Sequence, residues 1–111
     1  MAKLKLGKET YIFDIMDKDN AEKYEKALGK VQEHVKENGT DTTLADTIEK
    51  ACNVIAEFID TLFGEGVHKS IFGETKNLRE YIKIYRQIIS EIEIDIEKTS
   101  EEMEALAGAV K

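Results

Sequence analysis

The stretch LFGEGVHKSIFGET, residues 62–75, contains one short pattern twice, and the second copy starts nine positions after the first. An aliphatic residue, a phenylalanine, a glycine and a glutamate occur at 62–65 and again at 71–74. Glycine adopts a positive φ without steric cost and often follows the last residue of a helix. The repeat therefore predicts two consecutive helix ends, each anchored by a phenylalanine, with a short helical turn over residues 66–72.

Helical periodicity surrounds this segment on both sides. Apolar residues recur every three or four positions in three stretches, which predict amphipathic helices over residues 19–37, 41–63 and 77–106. The last of these helices is long for a chain of 111 residues. It would overhang a core of three helices, so we expect its end to pack on a neighbouring molecule.

Residues 3–16 have a different periodicity. Leu4 and Leu6 alternate with lysines, Gly7 marks a turn, and β-branched and aromatic residues follow, which together predict a β-hairpin. Because an isolated hairpin is marginal in water, it must dock on the helices or pair with another chain. The predicted fold is one mainly α domain over residues 1–111. It has an antiparallel arrangement of three helices, an N-terminal hairpin and a short helical turn before the last long helix.

Charge and cysteine content exclude several classes of protein. The chain has a formal net charge of −7, which disfavours direct nucleic acid binding and attachment to an anionic membrane. The single cysteine, Cys52, rules out an internal disulfide and favours a reducing compartment. The N-terminal residues lack an apolar run as long as a signal peptide or a membrane span. We therefore expect a cytoplasmic protein.

The reactive side chains do not have the spacing of a catalytic or metal site. Cys52 lies within a helical stretch without a cationic neighbour, so a buried, inert thiol is predicted. His34 and His68 lie on different elements, and no paired zinc-ligand spacing occurs. The acidic segment that starts at Asp14 has Asp19 where a calcium loop needs glycine. We therefore expect no enzyme activity, no catalytic residues, no metal and no cofactor.

Glycine-flanked aromatic residues are the predicted contact surface for a partner. The alternative is that Phe63 and Phe72 simply belong to the core, as aromatic residues beside helix caps usually do. Ile84 and Ile94 lie off the main apolar stripe of the last helix, which suggests a role in self-association. The predicted contact residues are Phe63, Gly64, Gly66, Phe72, Tyr81, Ile84 and Ile94.

Four segments together resemble a known group of proteins. These are FDI at 13–15, YEKA at 24–27, EFIDTLFGEG at 57–66 and IFG at 71–73. In this order they resemble small phage and prophage proteins of Gram-positive hosts that are encoded among virion structural genes, some of which look like tail assembly chaperones. The resemblance implies a non-catalytic assembly protein that contacts other phage structural or tail proteins and forms a homo-oligomer. It also implies a location in the cytoplasm of the bacterial host, or in the virion.

The acidic last helix leaves a second interpretation open. Its carboxylates are Glu91, Glu93, Asp95, Glu97, Glu101, Glu102 and Glu104, with Lys98 as the one cation between them. A solvated helix face is the simpler explanation. The alternative is that the carboxylates mimic nucleic-acid phosphates and occupy the basic groove of a host defence nuclease.

Overall fold

The computed structural model describes residues 1–37 and 43–109. Two strands, β1 (Ala2–Leu6) and β2 (Glu9–Phe13), precede four helices, α1 (Lys18–Lys36), α2 (Leu44–Phe63), α3 (Val67–Phe72) and α4 (Leu78–Ala109). The predicted fold class is confirmed, since the chain is mainly α with an N-terminal β-hairpin.

Side-chain caps explain where the first two long helices begin. The Asp17 carboxylate accepts a hydrogen bond from the N–H of Asn20 at 3.2 Å, at the start of α1. Thr43 Oγ1 accepts from the N–H of Asp46 at 3.2 Å, at the start of α2. Both bonds satisfy N–H groups that have no partner within their helix. In the sequence, Gly39 is suited to cap the end of α1, and the predicted start of α2 is residue 41. Both positions lie outside the described residues.

The hairpin docks on the helices through one face. Its strands are antiparallel, with Leu6 opposite Glu9, and Gly7 takes a φ of 66° in the turn. Leu4 and Leu6 point into the core and are fully buried. Gln87 Nε2 donates to the carbonyl of Lys5 at 3.1 Å, so β1 lies along α4. Of the two expected arrangements, docking on the helices is therefore the observed one.

The core forms where α2 contacts both α1 and α4. Phe58 of α2 packs against the rings of Tyr24 and Tyr85, at centroid distances of 6.2 and 5.0 Å. The other buried apolar residues come from the hairpin, its exit and the long helices: Ala2, Leu4, Leu6, Phe13, Ile15, Ala27, Val31, Cys52, Ile55, Ala56, Ile59, Leu62, Tyr81, Ile88 and Ile92. Burial of this set supplies most of the driving force for folding.

Of the three long helices, α1 and α2 are antiparallel to each other, whereas α4 runs in the same general direction as α2. Lys76, just before α4, places its Nζ 3.3 Å from Glu49 Oε1 and 3.2 Å from Asn53 Oδ1. Further along both helices, Tyr85 packs against Phe58. The contacts advance in the same direction along both helices, so α4 runs roughly parallel to α2. Because Lys76 contacts Glu49 and Asn53, α4 begins beside the middle of α2. The segment between them, which includes α3, folds back along α2.

The C-terminal third of α4 extends beyond the core. α4 has 32 residues, which gives a length of about 48 Å, and the longest extent of the molecule is 61 Å. The last core residue on α4 is Ile92, and Met103 and Leu106 are each 62 % exposed. The predicted overhang is present as one continuous helix. Whether its end packs on a neighbour stays a prediction.

Candidate interaction site

Phe63 joins the end of α2 to the hairpin. Its ring lies 5.5 Å from the ring of Tyr11 and 6.0 Å from that of Phe13, measured between centroids. The side chain is half-buried. Gly64 follows and ends the helix. Its φ of 123° is a value that residues other than glycine rarely adopt. The first half of the repeat is thus a helix end that is fastened to β2.

Phe72 forms the second anchor of the repeat. Its ring stacks on Tyr81 at a centroid distance of 3.7 Å and an interplanar angle of 9°. The Tyr81 hydroxyl donates to the carbonyl of Thr75 at 3.0 Å, and burial raises the pKa of Tyr81. Tyr81 is only 3 % exposed, so it offers almost no surface to a partner. Its role within this fold is to support the half-buried ring of Phe72.

An interaction between Asp60 and His68 holds α3 against α2. The N–H of His68 donates to Asp60 Oδ1 at 3.0 Å, and His68 Nδ1 lies 2.8 Å from Asp60 Oδ2. Gly66, the N-cap residue of α3, has no side chain to cap the helix, so Asp60 supplies the acceptor from α2. Desolvation raises the pKa of Asp60, but hydrogen bonds from His68 and the Gly66 backbone outweigh it and lower that pKa overall.

The Asp60–His68 pair was missed at the sequence level. The two residues are eight positions apart on different helices, and no helical spacing relates them. They border an open depression that also includes Glu57, Thr61 and Glu65. Within this depression the Asp60 carboxylate is engaged by the first turn of α3. The geometry is therefore that of a helix cap formed between two helices.

The predicted contact residues divide into separate groups. Phe72 and Ile84 line one shallow depression of about 300 Å³ beside Gly7 at the hairpin turn. Phe63 and Gly64 lie at the end of α2. Ile84 is half-buried, whereas Ile94 is 45 % exposed further along α4. Gly66 takes a φ of 85° and no atom lies near its missing side chain, so its backbone conformation, and not space, requires glycine.

An apolar groove between α1, α2 and α4 was not anticipated from the sequence. Three neighbouring depressions, one of about 280 Å³, meet at Ile82. The apolar lining residues are Val31, Val35, Leu44, Ile48, Ala51, Val54, Ile55, Leu78, Ile82 and Tyr85. Four cations, Lys76, Arg79, Lys83 and Arg86, border them. We call this surface the α2–α4 groove.

The α2–α4 groove exists because α4 begins beside the middle of α2. Leu78 and Ile82 belong to the apolar residues that recur at helical spacing along α4. In the fold, the two residues remain half-buried. The exposed side chains of Val35 and Leu44 extend the apolar surface at the end of the bundle. Apolar surface of this kind is a common feature of protein docking sites.

The single cysteine lies in the core: Cys52 is 1 % exposed, as predicted. Desolvation raises the pKa of its thiol, although the positive charge of Lys76 acts in the opposite direction. In the part of the chain that the structure describes, no group of three or more His, Cys, Asp or Glu side chains could hold a metal ion. Likewise, no helix within residues 1–37 and 43–109 combines the length and apolarity needed to cross a membrane.

The comparison with models of protein families gave a match. The model of a protein family described as "Family of unknown function (DUF6673)" matches residues 7–108, which is nearly the whole chain. The matched region extends from the hairpin turn to the end of α4. Neither the curated proteins nor the solved structures gave a match.

Proposed function

We propose that this chain, which belongs to the family of unknown function DUF6673, is a non-catalytic phage tail or virion assembly protein. It acts through contacts with other phage structural or tail proteins and through self-association. The order of the FDI, YEKA, EFIDTLFGEG and IFG segments supports the phage assignment. The distribution of apolar surface supports the mode of action.

The observation that carries the proposal is the exposed apolar surface at the end of α4. Met103 and Leu106 lie three residues apart on α4, beyond its last buried residue, Ile92, and each is 62 % exposed. In proteins, most helical stability comes from packing of an apolar face. An overhanging helix with such a face is therefore best explained by a partner that covers it.

A second contact surface surrounds α3. Phe72 and Ile84 share a depression next to the hairpin turn, and Phe63 lies at the other end of the same loop region. Gly64 and Gly66 permit the positive φ values that the backbone takes there. This region presents half-buried aromatic rings beside the hairpin, an arrangement that suits a protein contact. Ile94 provides a further exposed apolar position on α4.

The proposed location is the cytoplasm of the bacterial host, where tails assemble, with the finished virion as a second location. A prophage that lacks the gene tests the function. Electron microscopy of the induced lysate should show filled heads without normal tails, and a plasmid copy of the gene should restore the tails. Normal infectious particles from the deletion strain would contradict the proposal.

One observation favours a second candidate function. Glu101, Glu102 and Glu104 are exposed near the end of α4, and none forms an ion pair within the described residues. They could mimic phosphates and inhibit a host defence nuclease. Inhibition of this kind should weaken steeply as salt rises, because exposed charges are screened. A predominantly apolar assembly contact should respond much less to salt. Titration against purified host nucleases at two salt concentrations separates the two functions.

A further inference from the structure

We propose that the end of α4, residues 97–108, docks in the α2–α4 groove of a second copy of this chain. We call this segment the α4 tail. The inference deepens the self-association part of the proposed function and does not depend on the phage assignment. It joins two surfaces whose charges are complementary and which the other residues that the structure describes leave exposed.

The α4 tail has an apolar stripe with acidic flanks. Met103 and Leu106 lie on one face of the helix, and the half-buried Ile96 and Thr99 continue that face toward the core. Glu102 lies to one side of the stripe, and Glu97 and Glu104 lie to the other.

The acidic composition of the tail is unfavourable for a helix in isolation. Glu97 and Glu101 are four residues apart, so their like charges repel each other on the helix surface. The last turn of α4 contains no basic residue, although cations stabilise the C-terminal end of a helix. A cationic partner surface would remove both penalties.

The groove offers such a surface. Its floor is apolar around Leu78 and Ile82, and its border includes Arg79 and Arg86, the two arginines of the sequence. Neither guanidinium forms an ion pair with any residue that the structure describes. Lys83 adds a third cation on the same side of α4. Arginine pairs with carboxylates in a bidentate manner, which suits it to a contact with the glutamates of the tail.

The tail cannot reach the groove of its own chain. Ile82 in the groove and Met103 in the tail are 21 residues apart on one continuous helix, which separates them by about 31 Å. An α4 tail that occupies the groove must therefore come from another molecule. A second copy is the occupant with matching chemistry, because its tail combines apolar residues with carboxylates at helical spacing.

The charge pattern of α4 also sets the relative orientation of the two copies. Arg79, Lys83 and Arg86 lie in its first third, and seven of the eight charged residues between 88 and 109 are acidic. Two such helices attract each other when they run antiparallel. Because the contact joins unlike patches, it closes as a two-fold pair when both tails exchange, and it extends into a chain when they do not.

Charge reversal with rescue tests the proposal. One variant carries Arg79→Glu and Arg86→Glu in the groove, and another carries Glu97→Lys, Glu102→Lys and Glu104→Lys in the tail. All five side chains are exposed, so circular dichroism should show unchanged folding. Molar mass is measured by light scattering after size exclusion, over a concentration series. The wild-type chain should associate, and each reversed variant should dissociate at concentrations at least tenfold higher than those at which the wild type does.

The decisive measurement is the mixture of the two reversed variants, in which each reversed patch meets a complementary one. Association should return to within threefold of the wild type. Lys23→Glu with Lys26→Glu on α1 is the control for the groove variant, because it also replaces two cations by glutamates, at exposed positions outside the groove. A wild-type monomer at every concentration would overturn the inference. So would reversed variants that associate normally, a control that loses association equally, or a mixture that stays monomeric.

Failure of this inference and failure of the proposed function give different results. If the chain associates by this contact but deletion of its gene leaves phage tails unaffected, only the phage assembly role is refuted. If the chain stays monomeric but deletion of its gene abolishes phage tails, only the contact between the α4 tail and the α2–α4 groove is refuted.

Discussion

Replacing Met103 and Leu106 by alanine should weaken self-association and leave folding unchanged. Fully burying a leucine or methionine is worth about 1.5–3 kcal/mol. Because each side chain is 62 % exposed in the single chain, docking would recover roughly 1–2 kcal/mol for each, or about 2–4 kcal/mol per docked tail. Since about 1.4 kcal/mol corresponds to a factor of ten, the dissociation constant should rise roughly 30- to 700-fold per tail.

Sedimentation equilibrium on the double variant measures this change directly, and urea unfolding measures stability. Alanine retains helix propensity, so the free energy of unfolding of the monomer should change by less than about 1 kcal/mol. Ile12→Ala with Met16→Ala is the matched control, because both residues are similarly exposed but lie near the hairpin, outside the tail and the groove. An unchanged dissociation constant in the M103A/L106A variant, or an equal rise in the control, would refute the reasoning.

Three further outcomes follow from local features of the fold. Asp60→Ala removes the cap that α2 supplies to α3 and should lower the free energy of unfolding by about 1–2 kcal/mol at pH 7. The folded-state pKa of Asp60 lies below its unfolded value of about 3.9, so this contribution is complete above that value and is lost as the pH falls through the folded-state pKa. Urea unfolding at pH 7 and pH 3 should therefore show a smaller deficit at pH 3, and an equal deficit would contradict the assignment. Gly64→Ala should destabilise the chain by more than about 1 kcal/mol because of its φ of 123°, whereas Gly29→Ala, in open space on α1, should stabilise it by about 0.5–1 kcal/mol. Thermal unfolding of both variants tests this contrast, and shifts of the same sign would refute it. Cys52 should react with a thiol reagent only in denaturant, because it is buried, and rapid reaction of the native chain would show that the core opens readily.

Local sequence patterns were sufficient to predict the elements of this fold. Strict alternation places Leu4 and Leu6 on the buried face of the hairpin, and this burial depends on only a few neighbouring residues. The Phe-Gly-Glu repeat likewise predicted two helix ends, since the positive φ values of Gly64 and Gly73 are local properties. The predicted helix boundaries at the start of α1 and the end of α2 therefore agree with the structure to within one residue.

The arrangement of the elements could not be predicted in the same way. The Asp60–His68 pair and the α2–α4 groove both depend on how the segment between α2 and α4 folds back, which no periodicity records. Tyr81 illustrates the same limit. Its position beside the glycine loop suggested a contact residue, but the stacked ring of Phe72 covers it and buries it in the core.

We propose that this chain works by binding other proteins, including copies of itself, through exposed apolar surfaces. Co-expression with the products of the genes that neighbour its own, followed by size exclusion with light scattering, tests this proposal most directly. We expect a stable complex of defined mass that contains this chain, and a smaller yield of that complex for the M103A/L106A variant. A chain that elutes as a monomer, both by itself and with every neighbouring gene product, would contradict the account.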